Sequence, residues 1–248
     1  MESLRPIIGG VFPEQCYDSL MLEWNFKDVH CLKLVFSKCL GYAMVVGGSL
    51  VKLPQIMKIV SAGSAAGLSM PSVVLDLAGV TATTAYNYDQ RYPFSAYGEG
   101  AFLMLETAVI LCLALHYSSR GLLAAMVVAT YSALCATLFV YEAVPSSVLL
   151  WGQLLSAPVV IIGRLWQAFD NWCAGHTGQL SLVTQGLLLA GCVARIFTSI
   201  TETGDSIIIL SYTLAAIANA VLVGQVIYYW EATNRAIATE PKKSKKEN

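Results

Sequence analysis

Four side chains carry charge where charge is expensive. Lys52, Asp76, Glu106 and Arg164 each fall inside a long apolar run. A charge at the centre of a bilayer helix costs about 2.5–3.5 kcal/mol on insertion scales. Such groups must face the protein interior or a wet cavity, and must pair there or meet a hydrophilic ligand. At 1.5 Å per residue, Lys52 lies about 9 Å from the end of the first apolar run. Asp76 lies about 10 Å into the second run from the same side. Equal depth predicts a Lys52–Asp76 pair. Arg164 has the chemistry to meet a phosphate, because a planar guanidinium matches its oxygens. The alternative is that its long stem carries the charge out to the interface. Glu106 is predicted near mid-bilayer, where a carboxyl must be protonated or paired.

Weaker polar groups accompany these four. Asp76, Thr83 and Asn87 are spaced by seven and four, so they share one helix face. Glu99 and Glu106 are also seven apart. Arg195, Ser199 and Glu202 stand late in the sixth run, and Tyr212 and Asn219 stand in the seventh. Together they either line a central polar path or bond helix to helix. Pro54, as an interior helix residue, would free the carbonyl of Leu50. In lipid that group needs a partner, which Gln55 or a neighbouring helix can supply. Pro54 is then either a hinge or a static kink.

No catalytic residue, metal site or cofactor is expected. There is no HExxH, no P-loop and no GxSxG. The three histidines, His30, His116 and His176, fall in separate termini and loops. Gly98-Glu99-Gly100 is too short for a phosphate-binding glycine loop. No basic stretch is interleaved with exposed aromatics, so nucleic acid is not an expected partner.

The elements that must position these residues are membrane spans. Of the 248 residues 56% are hydrophobic and only 12% charged. A soluble domain carries roughly a quarter of its residues charged, so most of this surface faces lipid. At about 20 residues per span there is room for about seven helices. They are predicted over 35–59, 68–88, 97–115, 121–140, 145–169, 180–200 and 207–230, with Pro158 a kink in the fifth. Residues 1–14 lack the continuous apolar core of a signal peptide. Leu20, Met21, Trp24 and Phe26 there suggest a short interfacial helix. Of the seven cysteines, Cys112, Cys135 and Cys192 read as packing residues. Cys16 and Cys31 can pair if their segment is lumenal.

An internal repeat organises the chain. Segment 51–69, VKLPQIMKIVSAGSAAGLS, aligns without gaps on segment 163–181, GRLWQAFDNWCAGHTGQLS. Each residue n meets residue n + 112, as 51 meets 163. Lys52 meets Arg164, Gln55 meets Gln167, and Ala62-Gly63 meets Ala174-Gly175. Pro54 meets Trp166, and Asp76 meets Leu188, so Arg164 lacks the partner expected for Lys52. The copies begin four helices apart, which restores direction and makes the repeats parallel, a known transporter plan. The expected fold is all-α integral membrane, with two parallel three-helix bundles joined by a linking helix. Its parts are an N-terminal lumenal segment 1–34, a first repeat 35–118, a linking helix 119–143, a second repeat 144–231 and a basic tail 232–248.

Lys52-Leu53-Pro54-Gln55 followed by Ser64-Ala65-Ala66-Gly67-Leu68-Ser69 resembles the PQ-loop motif, and SWEET sugar transporters share that family's architecture. The resemblance implies seven helices, a lumenal or extracellular N-terminus and a cytosolic C-terminus. A closer resemblance is to the dolichol-sugar-utilization branch of the family. It is carried by Leu53-Pro54-Gln55, His176 to Ser181, Ala194 to Ile200, Thr203-Gly204-Asp205 and Cys16-Tyr17-Asp18. That branch implies an endoplasmic reticulum membrane protein, itself no glycosyltransferase. It would be needed for lumenal use of dolichol-phosphate mannose and dolichol-phosphate glucose in N-glycan and GPI-anchor assembly. Trp166-Gln167 departs from Pro-Gln, so a hinge at Pro54 does not carry over to the fifth helix.

Lys245 and Lys246, fourth and third from the end, read as a dilysine retrieval signal recognised by coat proteins from the cytosol. A solvated basic tail is the alternative. Two other functions fit the same architecture: a small-solute transporter for a sugar or amino acid, and a trafficking receptor for lumenal proteins.

Overall fold

The computed structural model describes residues 16, 18–22, 24–25, 27–65, 68–118, 120–177 and 180–239. Lys245 and Lys246 lie outside them, as do Tyr17, Ala66, Gly67, Gly178 and Gln179 of the motifs above. No strand occurs among the described residues. The helices are α1 Val29–Val51, α2 Leu53–Ala62, α3 Met70–Asp89, α4 Phe94–Tyr117 and α5 Gly121–Cys135. They continue with α6 Ser146–Ala174, α7 Leu182–Glu202, α8 Ser206–Tyr228 and α9 Trp230–Thr239. A π-helical turn Ala136–Val140 extends α5.

Among the described residues, six stretches are long and apolar enough to cross a membrane: Val29–Ala62, α4, Gly121–Val140, α6, α7 and α8. The chain is a multi-pass membrane protein. Seven apolar spans were expected. The stretch that falls short is α3, which is 20 residues long but carries Asp76, Thr81, Thr83, Thr84, Asn87 and Asp89. Its neighbours cover much of that polarity, since Thr81, Thr84 and Asn87 are buried.

α1 begins at Val29 rather than Val35 because Asp28 caps it, accepting from the Cys31 N–H at 3.1 Å. Ser19 donates to the same carboxylate at 3.2 Å. Cys16 and Cys31 form a disulfide with Cα atoms 5.2 Å apart. Leu20 is buried beside it, on the turn Asp18–Leu22, so this residue is covered by protein rather than lying on the membrane surface as expected. Trp24 is exposed.

The first span is not one kinked helix. It stops at Lys52 (φ −98°, ψ −7°) and restarts, the Lys52 carbonyl accepting the Ile56 N–H at 3.0 Å. Pro54 itself sits in the first turn of α2, where its missing N–H costs little. The expected interior kink with a freed Leu50 carbonyl is therefore corrected to a helix boundary. Pro158, by contrast, stays inside an unbroken α6.

The chain forms two compact units, Met1–Ser156 with Phe197–Asp205, and Ala157–Ile196 with Ser206–Asn248. In the first, α4 packs between α1 and α3. Small residues bring the backbones close. A Cβ on Gly41 would lie 2.8 Å from the Ser95 carbonyl oxygen, and one on Gly48 2.8 Å from the Glu99 Cβ. These contacts run in the same order along both helices, so α1 and α4 are parallel. An apolar core of Ile59, Val73, Leu77, Ile110, Leu111, Leu115 and Ala124 closes the end opposite the disulfide.

The offset of 112 reappears in the backbone. Gly63 and Gly175 both end their helices at positive φ, 57° and 69°. Leu68 N–H donates to the Ala65 carbonyl at 3.1 Å, and Leu180 N–H to the Thr177 carbonyl at 3.2 Å. Val73 to Ser69 and Gln185 to Ser181 repeat the next bond, at 3.1 and 3.0 Å. The buried faces of α4 and α8 agree as well. Met104, Glu106, Thr107, Ile110 and Ala114 match Ala216, Ala218, Asn219, Leu222 and Val226, and all ten are buried.

Candidate functional site

Lys52 joins three helices of the first unit. From the α1–α2 break its ammonium pairs with the Asp76 carboxylate on α3 and donates to the Thr107 hydroxyl on α4 at 2.6 Å. The side chain of Lys52 is 18% exposed and that of Asp76 58%. The expected pair is formed. Thr107 was not singled out in the sequence, where a threonine in an apolar run reads as packing. Its hydroxyl also bonds the Leu103 carbonyl four residues back at 2.6 Å.

Glu106, the neighbour of Thr107, is 6% exposed, and neither carboxyl oxygen has a hydrogen-bond partner. It stands about 18 Å from either end of α4 at 1.5 Å per residue. The carboxyl is buried as expected and unpaired.

The second unit repeats the frame with different chemistry. Arg164 on α6 is half-buried and makes no ion pair among the described residues; it donates to the Gln167 side chain at 3.4 Å. Leu188 replaces Asp76, and Asn219 replaces Thr107. The Asn219 amide donates to the Ala215 carbonyl at 2.8 Å and to the Cys192 sulfur at 3.5 Å. Its own oxygen is buried without a partner. Arg164 lies near enough for its charge to act on the Cys192 thiol. Among the described residues, this unit thus holds a cation with no carboxylate against it and an amide oxygen with no donor.

The remaining expected residues do not converge on one lining. Pro54 and Gln55 are exposed. Thr83 lies 3.3 Å from the Ser156 hydroxyl, and Asn87 is buried with its amide spent on the Thr83 carbonyl at 2.7 Å. Asp76, Thr83 and Asn87 therefore differ in environment despite their shared face. Trp166 is exposed, its ring 6.2 Å from that of Phe169 along α6 and tilted 52° to it. Arg195 is buried and Tyr212 half-buried. No cluster of three or more metal-ligating side chains occurs among the described residues.

A second polar centre lies at the disulfide end of the first unit. The Glu202 carboxylate accepts from Ser37 at 2.7 Å and from Ser95, and pairs with Lys38 at 3.0 Å. Asp205 accepts from the phenols of Tyr86 at 2.7 Å and Tyr92 at 2.8 Å. Burial, then the bond to Asp205, pushes the Tyr92 phenol up to about 12. These carboxylates fasten residues 197–205 to α1, α3 and α4. Of this centre, sequence reasoning had singled out Glu202 and the motif containing Asp205; the partners came from elements far apart in the chain.

Residues 36–96 match the model for the PQ loop repeat. The chain is 26% identical to human solute carrier family 66 member 3 over 186 residues, covering 75% of this chain and 90% of that protein. No solved structure matches. The break at Lys52-Leu53-Pro54-Gln55 and the turn after it thus lie within a stretch similar to a PQ loop repeat, on an all-helical, multi-pass membrane fold.

Proposed function

We propose that this protein handles phosphate-bearing, lipid-linked sugars in the endoplasmic reticulum membrane. The cargo would be dolichol-phosphate mannose and dolichol-phosphate glucose, presented to lumenal transferases or reoriented across the bilayer. In this the chain resembles the mannose-P-dolichol utilization defect 1 protein, by the residues quoted above. The carrying observation is Arg164, an arginine inside an apolar helix with no carboxylate partner, where the other half of the chain sets a lysine against an aspartate. A guanidinium meets a phosphate with two parallel hydrogen bonds. The Cys16–Cys31 disulfide favours an oxidising compartment at the N-terminal end. With an odd number of spans the C-terminal end is then cytosolic, where Lys245 and Lys246 would be read by coat proteins.

The test is Arg164→Leu in cells that depend on this protein. Lumenal mannosylation should fall while the protein remains inserted and in the reticulum. Glycans of normal length would remove Arg164 from the site. Substituting Lys245 and Lys246 by serine should release the protein toward the cell surface, and retention would remove the tail as its address.

A second reading is a small-solute transporter, favoured by the similarity to a solute carrier. Reconstituted in liposomes, such a protein would exchange a sugar or amino acid and leave dolichol-phosphate mannose untouched.

A further inference from the structure

The end of the first unit opposite the disulfide is closed by hydrocarbon. Ile59 and Val73 are buried in that core, and Ile56 and Leu113 pack against it. The repeat places Asn171, Gln185, Ala168 and Gln225, in that order, at the same positions of the second unit. Three primary amides and a methyl group thus stand where the first unit sets four branched side chains.

Exposure does not explain the exchange. Asn171 and Gln185 are only 8% and 4% exposed, and Ala168 is buried. The backbone keeps the same register, since the Gln185 N–H donates to the Ser181 carbonyl as that of Val73 does to Ser69. A buried amide is unfavourable unless its groups are bonded. The Asn171 amide donates to the Gln225 side-chain oxygen at 3.1 Å, and the Gln225 amide to the Ala168 carbonyl at 2.8 Å. The Gln185 side-chain oxygen is buried without a partner. A valine serves at the matching position of the first unit, so packing does not require this amide.

Arg164, Ala168 and Asn171 are spaced by four and three and share one face of α6. Asn171 lies about 10 Å beyond Arg164 toward the Gly175 turn, at 1.5 Å per residue. Because Ile59 and Val73 belong to one core, the repeat sets Gln185 on α7 at the level of Asn171.

We infer that Asn171, Gln185 and Gln225 form a subsite for a neutral, hydroxyl-rich ring, a pyranose, on the Gly175 side of Arg164, with Ala168 leaving the room that an isoleucine would fill. A hydroxyl both donates and accepts, and so does a primary amide; neither carries charge. The Gln185 oxygen accepts from one ring hydroxyl. The inference rests on the phosphate reading of Arg164 only for the source of the sugar. A lipid-linked sugar phosphate sets its phosphate on Arg164 and its ring on the amides, whereas a free sugar uses the amides alone.

Gln185→Val and Asn171→Ile install residues that the first unit already buries at those positions. The full-length protein in nanodiscs is titrated with dolichol-phosphate mannose, dolichol phosphate and mannose. If the sugar comes on the lipid, both variants should bind dolichol-phosphate mannose about tenfold more weakly, for one or two lost hydrogen bonds, and dolichol phosphate as wild type does. If it comes free, the same loss should appear for mannose. Unchanged binding of both sugar-bearing probes, an equal loss of dolichol phosphate, or a wild type that binds neither sugar would overturn the inference. A wild type that binds mannose but not dolichol phosphate would remove the phosphate from Arg164, and the variants' loss of mannose would still support the subsite.

A second measurement needs neither variant. With Cys39, Cys112, Cys135, Cys173 and Cys192 replaced by serine, a water-soluble thiol reagent should label Gln185→Cys, and dolichol-phosphate mannose or mannose should slow that labelling. Val73→Cys, in the apolar core, should stay unlabelled. Equal labelling of the two cysteines, or labelling of Gln185→Cys that neither probe slows, would equally overturn the inference.

Discussion

Glu202→Ala isolates what the disulfide-end centre contributes. The Glu202 side chain is 1% exposed and that of its partner Lys38 13%. Removing the carboxylate leaves the ammonium, among the described residues, with the Ser95 hydroxyl alone, at 3.1 Å, and takes the acceptor from Ser37. Breaking a buried ion pair by deleting one partner costs about 3–5 kcal/mol, most of it the stranded charge. For a chain of this size each kcal/mol moves Tm by roughly 2–4 °C, so the fall should be about 6–20 °C. The assay is thermal unfolding of the purified protein in detergent, followed by tryptophan fluorescence. Lys38→Met added to Glu202→Ala should recover much of the loss, because no unpaired charge then remains. Arg91→Ala is the control. Its pair with Glu142 is 65% and 45% exposed, and such pairs contribute about 0–1 kcal/mol. A Glu202→Ala loss no larger than that of Arg91→Ala would refute the reasoning. So would a double variant no more stable than the single one.

Gly41→Val should destabilise by about 1–3 kcal/mol, because its first added carbon meets the Ser95 backbone at 2.8 Å. Gly47→Ala, with nothing within 4 Å, should be neutral or stabilising in the same denaturation series. Tyr92 is held neutral, with its phenol raised to about 12 in the folded protein against an ordinary 10.0. The raised value stabilises the fold fully below pH 10, and that contribution is lost as pH climbs from 10 to 12. Tyr92→Phe should therefore flatten the stability profile in that window, as read by alkaline unfolding. In denatured, unreduced protein Cys16 and Cys31 should resist maleimide until a reductant is added, whereas the free thiols of Cys39 and Cys173 react without one. Mass-mapped labelling of Cys16 in unreduced protein would contradict the pairing.

Much of this site was legible in the residues. Lys52 and Asp76 declared themselves because hydropathy gives depth, and two charges at equal depth in adjacent spans have few other partners. The offset of 112 was visible in side chains and reappears in the bonds at Leu68 and Leu180, because a turn with a left-handed glycine constrains its sequence. The Lys52 break was half legible. Pro54 announced a perturbation, but whether a proline bends a helix or starts one depends on where the preceding helix can end. The Glu202 centre was poorly legible. Its Ser37 contact spans 165 residues, and periodicity within one helix carries no information about such a partner. Glu106 was marked by depth alone, and its lack of any partner is a property of packing.

The most direct measurement is binding of dolichol-phosphate mannose to the purified protein in nanodiscs, comparing wild type with Arg164→Leu and Arg164→Lys. Wild type should bind, Arg164→Leu should lose binding, and Arg164→Lys should retain a weakened share, since an ammonium meets a phosphate without the paired geometry. Equal affinity of all three forms would contradict a phosphate contact at Arg164.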